Sequence, residues 1–478
     1  MSKHLWSSKW VFILAAVGSA AGLNIWKFPF LVYDHGGAFI IAYLVMLFVV
    51  GVSILIGEIA LGQKFRSAGP NAFGNIHKNL KWLGWAFAFG TFAILSYYIV
   101  VIGWSMDYLY YSIKALFTVL PWAGSDFFFN NILGISDGVS QKGSFSTPVF
   151  WTLASLILLY FFTRNSAKSV SKVIIYTATL PFITLIVLAI KVTLPGAELL
   201  NYILSFESAK LWSLSTWTAA AGQIFFTLSL AMAMIVYGAF KKPKSEIAKS
   251  VVYVAINTII SFLSAFAVFG TLGYLATQNV AVTEVAKPSL AFAIIPETLA
   301  TFSSFSALFS VIFFVTIFFL AIDSAMALLE AFTFPILQRF KKLSSQQVTA
   351  GAIILLGLVS MRYMYGNGLY LLDILDYYIQ NFFMLLLGFV EILIFLYANK
   401  FRKFISKHSD WLKSSYYYLI TWIIACVLGL LLASFHKGVT TYDSYEAADL
   451  LNYGLYPVVF IVVAIIINII DPKVPKNK

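Results

Sequence analysis

Apolar runs of about twenty residues recur along the whole chain, each closed by a short polar, basic or Gly/Pro-containing stretch. Runs of that length fit helices that cross a bilayer better than strands or soluble helices. Twelve spans are predicted, centred near Val17, Ser53, Ile99, Leu156, Leu185, Phe226, Ile260, Ile317, Leu355, Leu386, Ala425 and Ile461. The expected fold is therefore an all-α polytopic membrane protein, one transmembrane domain over residues 1–478. Two spans are broken, the first by GSAAGLNIWKFP (Gly18 to Pro29) and the sixth by GQIFFTLSLAMA (Gly222 to Ala233). Unwound backbone in a bilayer is tolerated only where it is buried in protein or lines a cavity, and paired breaks in two halves point to a transporter's binding site.

Composition agrees with this pattern. The chain is 60% hydrophobic and 11% charged over 478 residues, far from the balance of a soluble domain. Met1 to Lys9 is short and basic and the first apolar run shows no small-residue cleavage site, so no removable leader is expected. The single Cys426 excludes an intramolecular disulfide and a cysteine metal site. Most of the 32 basic residues gather at the ends and in alternate loops, as at Lys64/Arg66/Lys78/Lys81, Arg164/Lys168/Lys172 and Lys400/Arg402/Lys403. That asymmetry places both termini in the cytoplasm of a plasma (inner) membrane protein and requires an even number of spans. The net charge of +12 is thus a topology signal, and no nucleic-acid partner is expected.

Ionisable residues inside apolar runs are costly and mark pathways. Asp323, in FFFVTIFFLAIDSAMALLEAF, has no basic neighbour within two turns, so it needs either a proton and a hydrogen-bonding helix or a bound cation. Glu58 and Glu391 are each open to two readings, a proton carrier or a structural carboxyl. Asp373 and Asp376 share a helix face at the outer end of the tenth span. Lys27 lies towards the same side, where it either pairs with Asp376 to close an outer vestibule or is solvated separately. Helix breaks offer N–H groups to an anion and carbonyls to a cation. Ser19, Asn24, Thr227, Ser229 and Asn257 add oxygen side chains that suit a hard cation, so a zwitterionic amino acid with Na⁺ matches the arrangement.

The segments WSSKWVFILAAVGSAAGLNIWKFPF, GEIALGQ, LSYYIVVIGW, GQIFFTLSL, LAIDSAMALLE and LLDILDYY resemble, in order and spacing, the neurotransmitter:sodium symporter family. The resemblance implies an inverted 5+5 repeat with helices 1 and 6 unwound, repeat one over about 8–194 and repeat two over about 213–397, followed by peripheral helices over about 414–470. It implies a sodium site at Ala20, Asn24, Thr227 and Asn257, completed by the substrate carboxylate. A second sodium site would use Gly18, Ala21, Leu320, Asp323 and Ser324. The substrate would lie against Ser19, Ala20, Gly22, Leu23, Ile94, Tyr98, Phe226, Thr227, Ser229, Met232, Ser324 and Leu328. Tyr98 would bond its carboxylate, and Phe226 would lid it beneath Lys27–Asp376.

Two positions narrow the expectation. Monoamine-carrying members place an Asp where this chain has Gly22, so room is left for a substrate with its own carboxylate. With Ile94, Ala231, Met232 and Leu328 at its side-chain end, a neutral, hydrophobic amino acid is favoured. Chloride-independent members carry a carboxylate in the sixth or seventh span, whereas this chain has Ser261, with Tyr43, Gln223, Thr227 and Asn257 completing an anion cluster. Bound chloride is therefore expected; the alternative is proton uptake by another membrane carboxyl such as Glu58.

The chain also departs from the family pattern. It has Gly22-Leu23-Asn24 where Gly-Leu-Gly-Asn is usual, a glycine is missing at Gly36-Gly37, and Ala231 replaces a glycine in the second break. The cytoplasmic Arg–Asp lock becomes Lys3 and Gln338, with Glu330 as a substitute partner. The shortened first break admits a rival reading, a transport-deficient amino-acid sensor or regulator. An intramembrane hydrolase is disfavoured because all five histidines fall in ends or loops, and a channel because the breaks are paired.

Overall fold

Helix is the only secondary structure that satisfies its backbone locally without water, and the described apolar runs adopt it. The computed structural model describes residues 6, 9–121, 127–145, 148–177, 206–240, 292–293, 295–300, 305–407, 414–434, 439–440, 442–443 and 445–470, with 183, 186, 190, 259, 261–263 and 265–266 as isolated positions. At positions 9, 20, 21, 23–26, 167, 175 and 414 it describes the backbone alone. Among the described residues there is no sheet, only an isolated antiparallel bridge between Phe145 and Tyr365.

In chain order the helices used below are α1 (Lys9–His35), α2 (Gly37–Phe65), α3 (Gly69–Ile76), α4 (Lys78–Ala115), α5 (Val149–Thr163), α6 (Ala167–Thr177) and α7 (Leu214–Thr227). They continue with α8 (Met234–Ala239), α9 (Ser306–Arg339), α10 (Ser345–Ser360), α11 (Gly368–Tyr397), α12 (Asn399–Lys407), α13 (Ser414–Ser434) and α14 (Ala447–Ile470). Every predicted span centre falls within one of them except Leu185 and Ile260, which lie outside the described residues. Of the described helices, α2, α4, α9, α11, α13 and α14 are long and apolar enough to cross a membrane.

Burial sorts these helices into a centre and a rim. The most apolar stretch of α4 is 89% buried and that of α9 78%, against 33% for α13 and 17% for α14. α4 and α9 pack along one another, and α1 lies against both α9 and α7. The last two helices therefore face outwards, as expected for peripheral elements. Close crossings are made by small residues. A Cβ on Gly62 would stand 1.9 Å from the Ile235 carbonyl oxygen, and one on Gly238 would stand 2.5 Å from that of Ile59, so α2 and α8 meet backbone to backbone.

The second expected break is present. α7 stops at Thr227 and α8 starts at Met234, with Leu228 to Ala233 in buried turns between them. Leu230 donates to the Phe225 carbonyl at 2.9 Å and Ser229 to that of Phe226 at 3.1 Å, both off the α-helical register. Ser229 (φ 50°) and Ala231 (φ 56°) take left-handed conformations that cost an L-residue about 1–2 kcal/mol.

The first expected break is not an unwound segment, and the expectation of an open helix 1 is corrected. α1 runs without interruption from Lys9 to His35. Two local facts account for this. The chain lacks the extra glycine at Gly22-Leu23-Asn24 that would supply a conformationally free residue. The Ser324 hydroxyl also reaches into the helix, accepting from the Gly22 N–H at 3.1 Å and donating to the Gly18 carbonyl at 3.0 Å. Those groups are four residues apart, the two ends of one helical rung, so a side chain props the turn where backbone was expected to unwind.

Two outcomes follow for thermal melting of the detergent-solubilised protein. Gly62→Ala forces apart a backbone contact and should destabilise by about 1–3 kcal/mol, whereas Gly351→Ala, on the exposed face of α10 with nothing within 4 Å, should be neutral or stabilising by up to about 1 kcal/mol. Ala231→Gly should raise the melting temperature, because about 1–2 kcal/mol of left-handed strain is relieved against about 0.5–1 kcal/mol of added chain entropy.

Candidate functional site

The turns between α7 and α8 press against the middle of α1, and α9 closes the same place from the other side. Ser229 donates from its hydroxyl to the Ser19 carbonyl at 3.1 Å and lies 3.2 Å from the Ser19 hydroxyl, which itself donates to the Ala16 carbonyl at 2.8 Å. From the far side, the Ala231 N–H donates to Glu58 Oε1 of α2 at 2.7 Å. The interrupted segment is thus held by one bond to α1 and one to a buried carboxyl.

Asp323 and Ser324 sit on α9 directly against α1. The Asp323 carboxyl is buried, its Oδ1 accepts from the Thr177 hydroxyl, and its Oδ2 has no hydrogen-bond donor among the described residues. A Cβ on Gly18 would stand 2.9 Å from that Oδ2, so the open carboxylate oxygen faces the α1 backbone. A carboxylate, a hydroxyl and backbone carbonyls are the hard oxygen donors an alkali cation takes. Gly22 corrects one expectation. Its missing Cβ leaves no open space, because that position lies 2.3 Å from the Tyr98 hydroxyl, 2.5 Å from Ser324 Oγ and 2.6 Å from the Leu320 carbonyl. Glycine here lets three oxygens converge on α1.

Outwards from this point lies an ion pair. Lys27 Nζ stands 2.5 Å from Asp376 Oδ2 and 2.6 Å from Oδ1, donates to Gln380 Oε1 at 3.1 Å, and lies 3.8 Å from the centre of the Phe226 ring. Tyr97 donates to Asp376 Oδ1 at 2.6 Å. The two charges are nearly buried, at 12% and 13% side-chain exposure, so they are paired and not separately solvated. Gln380 Nε2 donates to Gln223 Oε1 at 3.5 Å, and Gln223 Nε2 to Thr227 Oγ1 at 3.5 Å. Asp373 is turned away from this pair, accepting from the hydroxyls of Tyr442 and Tyr445.

At the opposite, basic end, Trp6 closes the core. Its indole donates to the Tyr237 carbonyl at 3.1 Å, its N–H donates to that of Phe240 at 3.1 Å, and its ring meets Phe12, Tyr237 and Phe240 edge-on. Glu330 accepts from the Ser166 hydroxyl at 2.7 Å. Gln338 accepts from the Ala68 N–H at 2.9 Å and from Asn71 at 3.3 Å, so it caps α3.

Of the sequence-predicted residues, Ile94, Tyr98, Phe226, Met232, Leu320 and Leu328 are buried in one continuous core, and Ser19, Thr227, Ser229 and Ser324 are buried polar residues. Ala20, Ala21, Leu23 and Asn24 are described by backbone alone, and Lys3 and Asn257 lie outside the described residues. Ser261 is buried, and its neighbour Phe262 packs edge-on against Tyr43 and Phe28, which brings Ser261 to the Tyr43 side of α2. Sequence reasoning did not single out Tyr97, Gln380 or Trp6. Tyr97 and Trp6 lie within quoted motifs, but only the folded chain shows what they bond.

Comparison with known proteins agrees with this geometry. The model of the sodium:neurotransmitter symporter family matches residues 3–126 and 123–472. An uncharacterised sodium-dependent transporter of Methanocaldococcus jannaschii is 34% identical over 427 residues, covering 86% of this chain and 85% of that protein. The human sodium- and chloride-dependent GABA transporter 2 is 30% identical over 424 residues, covering 78% and 69%. The crystal structure of MhsT in complex with L-phenylalanine superposes with a TM-score of 0.79 at 24% identity, covering 90% of this chain and 99% of that one, which shows a shared fold. The chain therefore belongs to the sodium:neurotransmitter symporter family, a family of sodium-dependent membrane transporters and not of enzymes.

Proposed function

We propose that this protein imports a neutral, hydrophobic amino acid with sodium by alternating access, and that chloride takes part. The observation that carries the reading is Asp323. A buried carboxylate whose Oδ2 lacks a donor among the described residues and faces the α1 backbone, beside the interruption between α7 and α8, is a site in want of a cation. Gly18, Ala21, Leu320 and Ser324 complete this sodium site, and Ala20, Asn24, Thr227 and Asn257 a second. The substrate lies between α1, α4, α9 and the turns, with Tyr98 at its carboxylate end and Ile94, Ala231, Met232 and Leu328 at its apolar end. MhsT, which shares this fold, crystallises in complex with L-phenylalanine, and that pairing supports the same substrate class.

Chloride is assigned to Tyr43, Gln223, Thr227, Asn257 and Ser261. Support comes from the absence of a carboxylate at Ser261 and from the bond between Gln223 and Thr227. The pair Lys27–Asp376, with Phe226 beneath it, is the outer gate. Trp6 and the Glu330–Ser166 bond close the basic end, where the charge distribution puts both termini in the cytoplasm of the inner or plasma membrane. The inverted repeat follows from the family resemblance and the shared fold. One observation favours the second reading, a sensor that binds without transporting: the uninterrupted α1, propped by Ser324.

Uptake of radiolabelled neutral amino acids into proteoliposomes tests these readings. An inward Na⁺ gradient should drive accumulation that Asp323→Asn abolishes. Replacing chloride with gluconate should lower uptake severalfold, and Ser261→Glu should restore chloride-free uptake. Retained Na⁺-dependent binding with no uptake in the parent protein would decide for the sensor.

The outer pair gives a separable outcome. Lys27→Met leaves Asp376 nearly buried with Tyr97 and Gln380 but no cation, a change that costs about 3–5 kcal/mol in well-buried pairs and somewhat less here. Uptake should fall tenfold or more while Na⁺-dependent equilibrium binding, read by scintillation proximity, persists.

A further inference from the structure

The helix that carries Asp376 is not uniform. Within α11, Gly368–Tyr378 is α-helical, Ile379–Phe383 forms a π turn, and the α-helix resumes at Met384. A π turn holds one residue more than the α-helical repeat, and such bulges bend helices and gather at functional sites. Gly368–Tyr378 is therefore a short segment of its own, and it brings Asp376 to Lys27.

A second carboxyl of this segment is anchored from outside the proposed gate. Asp373 Oδ1 accepts from the Tyr442 hydroxyl at 3.1 Å and its Oδ2 from the Tyr445 hydroxyl at 3.0 Å, both from the connection between α13 and α14. The Tyr442 ring stacks on Tyr377 with centroids 3.6 Å and planes 11° apart, and the Tyr378 hydroxyl donates to the Val439 carbonyl. Leu450 joins Leu371 and Ile374 in a small buried cluster. The start of the segment is tied down as well, since Asn367 Nδ2 donates to the Val139 carbonyl at 2.7 Å and the Tyr370 hydroxyl to that of Ser136 at 2.9 Å. Apolar packing has no preferred direction, so by itself it lets a helical segment turn. Hydroxyl bonds to a carboxylate are directional and charge-assisted, and two of them fix a rotation. Residues three apart lie about 60° apart around a helix, so any rotation that moves Asp373 also moves Asp376.

We infer that Asp373 is a positioning residue for the outer gate: held by Tyr442 and Tyr445, it sets the rotation of Gly368–Tyr378 at which Asp376 meets Lys27. Without those two bonds the segment turns about Ile379–Phe383, and the 2.5 Å contact between Lys27 and Asp376 lengthens. The peripheral helices thereby act on a site they do not line, through the connection between them. The effect on transport rests on the reading of Lys27–Asp376 as a gate; the coupling of Asp373 to that pair does not.

Thermal melting of the detergent-solubilised full-length protein tests the coupling without using transport. Tyr442→Phe with Tyr445→Phe removes both hydroxyls and keeps the rings. The double change should lower the melting temperature of the parent, and by less than half as much beside Lys27→Met, because part of its effect is loss of the outer pair. Gly62→Ala, at the separate contact of α2 and α8, should shift both backgrounds equally and serves as the additive control. If the double variant does not give the parent's size-exclusion profile, Asp373→Asn, which keeps one accepting oxygen, replaces it in the same cycle. In proteoliposomes, with the radiolabelled neutral amino acid that the parent accumulates, the double variant should lose severalfold in maximal uptake rate and keep its Na⁺-dependent equilibrium binding. Equal melting shifts in the two backgrounds, or an unchanged maximal rate, overturn the proposal. If the parent accumulates no amino acid, the transport reading fails, and the melting cycle still decides whether Asp373 acts on the pair.

Discussion

In a bilayer, backbone that leaves a helix must find its partners inside the protein, and Leu228 to Ala233 is where this chain meets that requirement. Two of the freed amides turn back to Phe225 and Phe226, and the Ala231 amide goes to a carboxyl on another helix. That last bond dictates much of the surrounding architecture. Glu58 must stand beside Ala231, so α2 must pass close to α8. The approach is possible only because Gly62 and Gly238 lack a Cβ that would collide with the Ile235 and Ile59 carbonyls. The bond to the Glu58 carboxyl offsets part of the cost of holding an alanine in a conformation it disfavours.

The corresponding segment of α1 solves the same problem differently. Its rung from Gly22 to Gly18 is shared with a serine hydroxyl that accepts from one end and donates to the other. A hydroxyl can do this because it carries one donor and two acceptor positions. The arrangement fixes Ser324 against α1 and brings Asp323, one residue earlier on α9, to the Gly18 backbone. The proposed sodium site is therefore assembled by the contact that keeps α1 helical. A cation drawing on the Gly18 carbonyl would compete with the Ser324 bond, so ion binding and the shape of α1 are linked through one shared oxygen.

The helices and the second break were legible because each leaves a local mark, apolar length or polar residues set within it, whereas the peripheral position of the last two was implied only by the family resemblance. Asp323 was legible for the same reason, as a lone acid in an apolar run. The pairing of Lys27 with Asp376 needed the fold, since 349 residues separate them and the sequence allowed solvation apart. The state of α1 was misread because local glycine content was weighed without the side chain that arrives from α9. Gly22 misled in the same way, being read as space when three oxygens fill it. Gln380 carried no signal, since an amide within an apolar span is commonplace, and Trp6, though inside a quoted motif, gave no hint of the carbonyls it bonds.

Gln380 shows how the outer pair and the candidate ion residues come to share one set of bonds. It accepts from Lys27 at 3.1 Å and donates to Gln223 at 3.5 Å, and Gln223 donates in turn to Thr227 at 3.5 Å. α7 comes near enough for this because Gly222 presents no Cβ to the Gln380 backbone, whose carbonyl would lie 2.8 Å from it. The links differ in strength. The ion pair is short and charged, while the two amide links are at the outer limit of hydrogen-bond length, where the interaction weakens. If the proposed ion site is right, a displacement of Thr227 on ion binding would strain the two amide links before it reached the short Lys27–Asp376 pair, so the outer pair would feel the site beneath it only through Gln380.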